Sequence, residues 1–159
     1  MFLHAKLYHL IFNMYALYVL GPQVERYYGK AKYLFIYIMG GLMGSVFLCV
    51  FMDANSYGIG ASGAIFALLG SVAYFTYYYI ATLQGLLRSQ VVPVIAVNLL
   101  LGIFLPEVDV MAHFGGLIGR VLISMWIGIG DKNRKADQIN GAIVFISMFL
   151  FMLYLVLTK

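Results

Sequence analysis

Four side chains in this sequence have the types and the spacing for chemistry, and all four sit where polar groups are expensive. Ser62, His113, His9 and Asn13 fall inside or at the edge of long apolar runs. A polar group in such surroundings costs several kcal/mol unless it finds a partner or water. Ser62 lies in Gly58-Ile59-Gly60-Ala61-Ser62-Gly63. The glycines there permit close backbone approach, and the apolar run that follows begins a helix. Free backbone N–H groups at a helix start can stabilise an oxyanion, which acyl transfer needs beside its nucleophile. Read alone, the same serine is more often an ordinary helix cap. It is not the elbow of soluble hydrolases, because Ala64 stands where that motif has its last glycine.

His113, before Phe114-Gly115-Gly116, can accept a serine proton near neutral pH and return it to a leaving amine. Alone, it is equally a hydrogen-bonded packing residue. His9 and Asn13 are four residues apart, so on a helix they stack on one face and can donate hydrogen bonds together. Alone, they are equally an interhelical clamp. The combination carries more weight than any member. With no acidic residue inside the apolar runs, a Ser-His dyad is the only variant of the serine triad available. Three histidines without an intramembrane carboxylate make no convincing metal site, and no cofactor is called for.

These residues need elements to position them. Hydrophobic residues make up 64% of the 159 and charged residues 10%, which excludes an ordinary soluble domain. Apolar segments run over 7–20, 33–52, 61–80, 91–105, 110–129 and 139–157. The fold class expected is therefore all-α, a polytopic membrane helix bundle of about six spans. The stretches between, 21–32, 53–60, 84–90, 106–109 and 131–138, read as loops. Gly40 and Gly44, four apart, report helix packing.

Arg26, Lys30, Lys32, Arg88, Lys132, Arg134 and Lys135 occupy alternate connections, so both termini are expected outside the cytoplasm. The net charge of +4 orients loops and meets anionic lipid; no aromatic-basic patch points to nucleic acid. The single cysteine, Cys49, excludes an internal disulfide. His9 and Asn13, with no cleavage site following, make residues 7–20 a retained helix rather than a signal peptide.

Three blocks resemble the rhomboid intramembrane serine proteases. Phe2-Leu3-His4 through His9-Leu10-Ile11-Phe12-Asn13-Met14, with Gly21, Glu25-Arg26 and Gly29, resembles that family's second transmembrane helix and following loop. Gly60-Ala61-Ser62-Gly63-Ala64-Ile65-Phe66 resembles its nucleophile motif, and Ala112-His113-Phe114-Gly115-Gly116 its base motif. The resemblance implies that Ser62 attacks a peptide bond of a transmembrane substrate, with His113 as general base and then general acid. It implies an oxyanion hole from His9, Asn13 and the Ser62 N–H, with Phe66 stacked on His113 and Gly60 and Gly63 in support. His4 matches a family histidine nearer the membrane surface, and Glu25 and Arg26 match a scaffold motif. A cavity open to the outside, transmembrane protein substrates, the lipid bilayer as partner and a multi-pass location, in a bacterial cell membrane, are what it leads one to expect.

Two departures qualify the resemblance. The family's first helix would precede Phe2 and is expected to be missing, so residues 1–130 correspond to helices two to six of the family core. Residues 131–159 are then a cytoplasmic loop and an extra C-terminal span. Arg120 stands seven residues after His113, where the family usually has a glycine against the nucleophile helix. It is expected to be costly, so that Arg120→Gly raises stability or activity. The alternative function is a truncated or inactive pseudoprotease that binds membrane helices without cutting them. A small transporter or channel lacks the expected carboxylates and inverted repeat.

Overall fold

The computed structural model describes residues 3–4, 6–52, 60–78, 93, 96, 110–128 and 135–159. Among them no strand occurs, and five long helices form an all-α bundle: α1 (Leu7–Tyr28), α2 (Lys30–Phe51), α3 (Ser62–Tyr78), α4 (Val110–Ile127) and α5 (Lys135–Leu157). The apolar segment expected over 91–105 and the loops at 84–90 and 106–109 lie outside the described residues, apart from Pro93 and Ala96, which are helical. The helices α2 and α5 are long and apolar enough to cross a membrane.

The first helix runs further than its composition suggests. Gly21-Pro22 and the charged pair Glu25-Arg26 read as a loop, yet α1 continues through Pro22 to Tyr28. In apolar surroundings a melted turn would strand several backbone groups, whereas proline forfeits only one hydrogen bond. Leu20, Val24 and Tyr28, spaced by four, are all buried and keep one face of the helix in the bundle past the proline. The turn that follows is a single residue. Gly29 has φ of 79°, its N–H donates to the Glu25 carbonyl at 2.8 Å, and its own carbonyl accepts from Tyr33 N–H at 2.9 Å. A positive φ of this kind favours glycine, and it ends one helix and starts the next with no linker.

Small residues then decide how closely the helices approach. In α2, a Cβ on Gly40 would collide with Ala67 of α3, and one on Gly44 would lie 2.8 Å from the Ala112 carbonyl of α4 and 3.3 Å from Gly63 Cα of α3. In α4 the glycines divide between two neighbours. Gly116 meets the Gly63 carbonyl of α3, whereas Gly115 and Gly119 meet Phe47 and Met43 of α2. The same contacts give directions: α1, α3 and α4 run parallel, and α2 and α5 run against them. Lys32, at the start of α2, donates to the carbonyls of Ile127 at 3.0 Å and Gly128 at 3.3 Å, closing the end of α4.

The fifth helix starts at Lys135, four residues before the apolar run at Ile139. Its Gly141 packs on Met125 and Trp126, and its buried Phe145 tilts against Trp126 at 5.9 Å between ring centroids. It lies on the outside of the bundle, with Ile139, Ile143, Leu150, Phe151 and Tyr154 more than half exposed. At the chain end, Lys159 donates to the carbonyls of Val50 and Met52 at the end of α2.

Candidate active site

Ser62 is the first residue of α3, and Ala61 holds the cap position, its carbonyl accepting from Ile65 N–H at 3.0 Å. The Ser62 hydroxyl is half-buried and makes no hydrogen bond among the described residues, so it does not cap its own helix. The amide groups of the first helical residues have no intrahelical acceptor, which leaves donors around the hydroxyl. Just upstream, Gly60 has φ of 124°. A side chain here would be strained by the backbone and would also lie 2.7 Å from the His9 imidazole and 3.7 Å from the Asn13 amide nitrogen. The absence of a side chain at Gly60 therefore lets the polar pair of α1 approach the turn that carries Ser62.

His9 and Asn13 are both buried, 9% and 5% exposed. Asn13 Nδ2 donates to the His9 carbonyl at 2.9 Å, which fixes the amide and leaves its second N–H for another acceptor. His4 is half-buried and meets His9 edge to face, with ring centroids 5.4 Å apart. The pair expected from spacing alone is thus one assembled unit on α1, next to the loop before α3.

His113 comes from α4, 1% exposed, and Phe66 of α3 lies flat against it, ring centroids 3.9 Å apart and planes 15° apart. Neither imidazole nitrogen makes a hydrogen bond among the described residues. Among the described residues no carboxylate orients the ring; the aromatic stack does. The two helices are held at this layer by backbone contact of Gly116 with Gly63, next in sequence to Ser62 and one turn from His113. Gly44, read from the sequence only as a packing residue, and Ala112, read only as part of the base motif, complete this junction from α2 and α4. The four-residue spacing of Gly40 and Gly44 was the signal, and it does not say which helices they face. Among the described residues no group of three or more His, Cys, Asp or Glu side chains converges as a metal site.

Two turns further along α4, Arg120 faces the nucleophile helix α3, as its position after His113 led one to expect. It is fully buried, its Cγ and Cβ pack against Gly70 of α3, and its guanidinium lies over the Tyr28 ring of α1 at 4.7 Å. The missing side chain at Gly70 makes the room that its own bulk was expected to lack.

Against this geometry, a family model described as Rhomboid domain matches residues 1–130. The chain belongs to the rhomboid family. Rhomboid protease GluP of Bacillus subtilis (strain 168) is 32% identical over 152 residues, covering 96% of this chain and 30% of the relative. RHOMBOID-like protein 4 of Arabidopsis thaliana is 34% identical over 141 residues, covering 87% of this chain and 35% of the relative. RHOMBOID-like protein 2 of the same plant is 38% identical over 120 residues, covering 74% and 37%. The rhomboid chain described here thus spans about a third of the length of these relatives. No solved structure matches it. Rhomboids are membrane-embedded, and the family includes named proteases; relatives from a bacterium and a plant mean that membership alone does not single out a bacterial membrane.

Proposed function

We propose that this rhomboid is an intramembrane serine endopeptidase that cleaves transmembrane segments of membrane proteins through a Ser62-His113 dyad. The observation that carries the reading is a convergence. His9 and Asn13 abut Gly60, two residues before Ser62, while the Phe66-stacked His113 sits across the Gly63-Gly116 junction from the same turn. In this reading Ser62 Oγ attacks the carbonyl carbon of the scissile bond as the His113 imidazole takes its proton. The oxyanion of the tetrahedral intermediate accepts hydrogen bonds from Asn13, His9 and the Ser62 N–H. His113 then gives the proton to the departing amine, leaving an acyl-serine. A water, deprotonated by His113, hydrolyses that ester and releases the new carboxyl terminus.

The chain is taken to be multi-pass, with about six spans and both termini outside the cytoplasm. Residues 1–130 serve as the catalytic core and 131–159 as a cytoplasmic loop and an added span. The basic connections support that orientation, and with the compact core they favour a bacterial cell membrane. The substrate segment must leave its helical hydrogen bonding to reach Ser62, so weakly helical segments are favoured.

The test is labelling of the detergent-purified chain with a fluorophosphonate probe beside Ser62→Ala and His113→Ala. Labelling of the parent and of neither variant is expected. A parent that stays unlabelled while folded refutes the protease reading and favours a pseudoprotease that only binds membrane helices.

A further inference from the structure

The catalytic scheme leaves one buried charge unused. Arg120 is enclosed on every side, yet its guanidinium nitrogens make no hydrogen bond among the described residues. An ionised group in such a place needs a partner. Among the described residues its ring partner is Tyr28, whose face lies 4.7 Å from the guanidinium carbon. A desolvated arginine over an aromatic face is held by the ring quadrupole, and the arrangement is directional because the planar cation must lie over the ring.

The two ends of this contact belong to the two helices whose relative register matters for chemistry. Arg120 is on α4, seven residues beyond His113; Tyr28 is on α1, the helix of His9 and Asn13. Between them runs α3. The arginine stem crosses it at Gly70, where a Cβ would lie 2.8 Å from Arg120 Cγ. Tyr28 is itself fixed to α3, its hydroxyl donating to the Ser71 carbonyl at 3.2 Å. On α4, Ser124 Oγ donates to the Arg120 carbonyl at 2.9 Å. The tyrosine end of the contact is therefore anchored to α3, the arginine stem is packed against Gly70, and the contact joins the helix of the base to the helix of the oxyanion donors.

We infer that Arg120 is a positioning residue: by stacking on Tyr28 it sets the register between the α4 helix carrying His113 and the α1 helix carrying His9 and Asn13. The inference rests on the protease reading above. It makes a distinct demand on kinetics. Oxyanion stabilisation acts in the transition state, so a slipped register lowers the rate of the chemical step and leaves ground-state binding alone.

The probe is a fluorophosphonate, whose phosphonyl oxygen occupies the oxyanion position, read as the inactivation rate kinact and the binding constant KI. Arg120→Met and Tyr28→Leu should each lower kinact by about 10- to 100-fold, as expected of a misplacement near 1 Å, with KI unchanged. The double variant should be no slower than the worse single variant, because one contact is lost either way. Tyr28→Phe keeps the ring face and should retain kinact within about threefold of the parent; Arg120→Lys keeps a cation and should recover part of the loss. Parental kinact in Arg120→Met, additive losses in the double variant, or a Tyr28→Phe as slow as Tyr28→Leu would each overturn the inference while leaving the protease reading intact. Failure of the parent to label sinks both.

Discussion

Adding one methyl group at Gly116 should disable the site while leaving every polar residue in place. A Cβ at this position would be driven into the Gly63 carbonyl oxygen and would lie 3.0 Å from Gly63 C and 3.3 Å from Gly63 Cα. All three atoms are backbone, so no rotamer change relieves the overlap. The two helices must separate at this layer by about 1 Å to regain ordinary contact distances, a strain of roughly 1–3 kcal/mol by analogy with overpacked cores. Ser62 and His113 are carried by the two helices that this contact joins, each just before it in sequence, and a misplacement of about 1 Å between reacting groups costs on the order of 100-fold in rate. Gly116→Ala should therefore lower the fluorophosphonate labelling rate about 100-fold and the thermal midpoint in detergent by several degrees. Measured side by side with Gly115→Ala, which presses on Phe47 and the Gly44 Cα of α2 rather than on α3, it should be the more damaging to labelling. A Gly116→Ala chain that labels and melts like the parent would show that the junction does not set the distance between the two residues.

Three further outcomes follow from contacts around the same turn. Phe66→Leu removes the ring lying 3.9 Å from His113; labelling should fall about tenfold, consistent with a stack contributing roughly 0.5–1.5 kcal/mol beyond its area, while the midpoint drops modestly. Gly60→Ala meets both a φ of 124° and the His9 imidazole at 2.7 Å, so it should be slower to label than Gly60→Ala carried in a His9→Ala background relative to His9→Ala alone; equal losses in the two backgrounds would dismiss the clash. Arg120→Gly should lower the thermal midpoint, reversing the expectation from sequence. It removes a charge whose burial costs about 3 kcal/mol, but it forfeits about 2 kcal/mol of stacking on Tyr28, about 1 kcal/mol of helix propensity and the packing of a large buried side chain, worth at least about 2 kcal/mol. The Gly116–Gly63 contact already limits the approach of α3 and α4, so the space beside Gly70 cannot simply close. A higher midpoint would refute this accounting.

Arg120 also shows where sequence reading stops. The residues around Ser62 and His113 were legible because their types are costly in apolar runs and their neighbours are small. That Arg120 faces α3 was expected from the resemblance, but the room made for it by Gly70, and the division by which Gly116 meets α3 while Gly115 and Gly119 meet α2, were not, since a four-residue spacing names a face without naming its partner. The extent of α1 was obscured for a different reason. Gly21-Pro22 and a pair of charges are ordinary turn chemistry, and only burial of Val24 and Tyr28 against the bundle carries the helix past them. Likewise Lys135 to Gln138 look like loop by composition and are the first turn of α5. The apolar boundaries elsewhere agree to within a few residues, because in those segments hydropathy and helix coincide: α3 and α4 begin within one residue of the apolar runs at 61 and 110.

The one-residue turn at Gly29 has a mechanical consequence. With its amide bonded back to Glu25 and its carbonyl to Tyr33, α1 and α2 meet without slack, so α1 is a rigid lever pinned at one end. Asn13 lies sixteen residues from the pin, about 24 Å along a helix rising 1.5 Å per residue. A tilt of about 5° at Gly29 therefore sweeps Asn13 through roughly 2 Å, enough to make or break a hydrogen bond at Ser62. The site is by this geometry sensitive to strain at a turn about 24 Å from the chemistry.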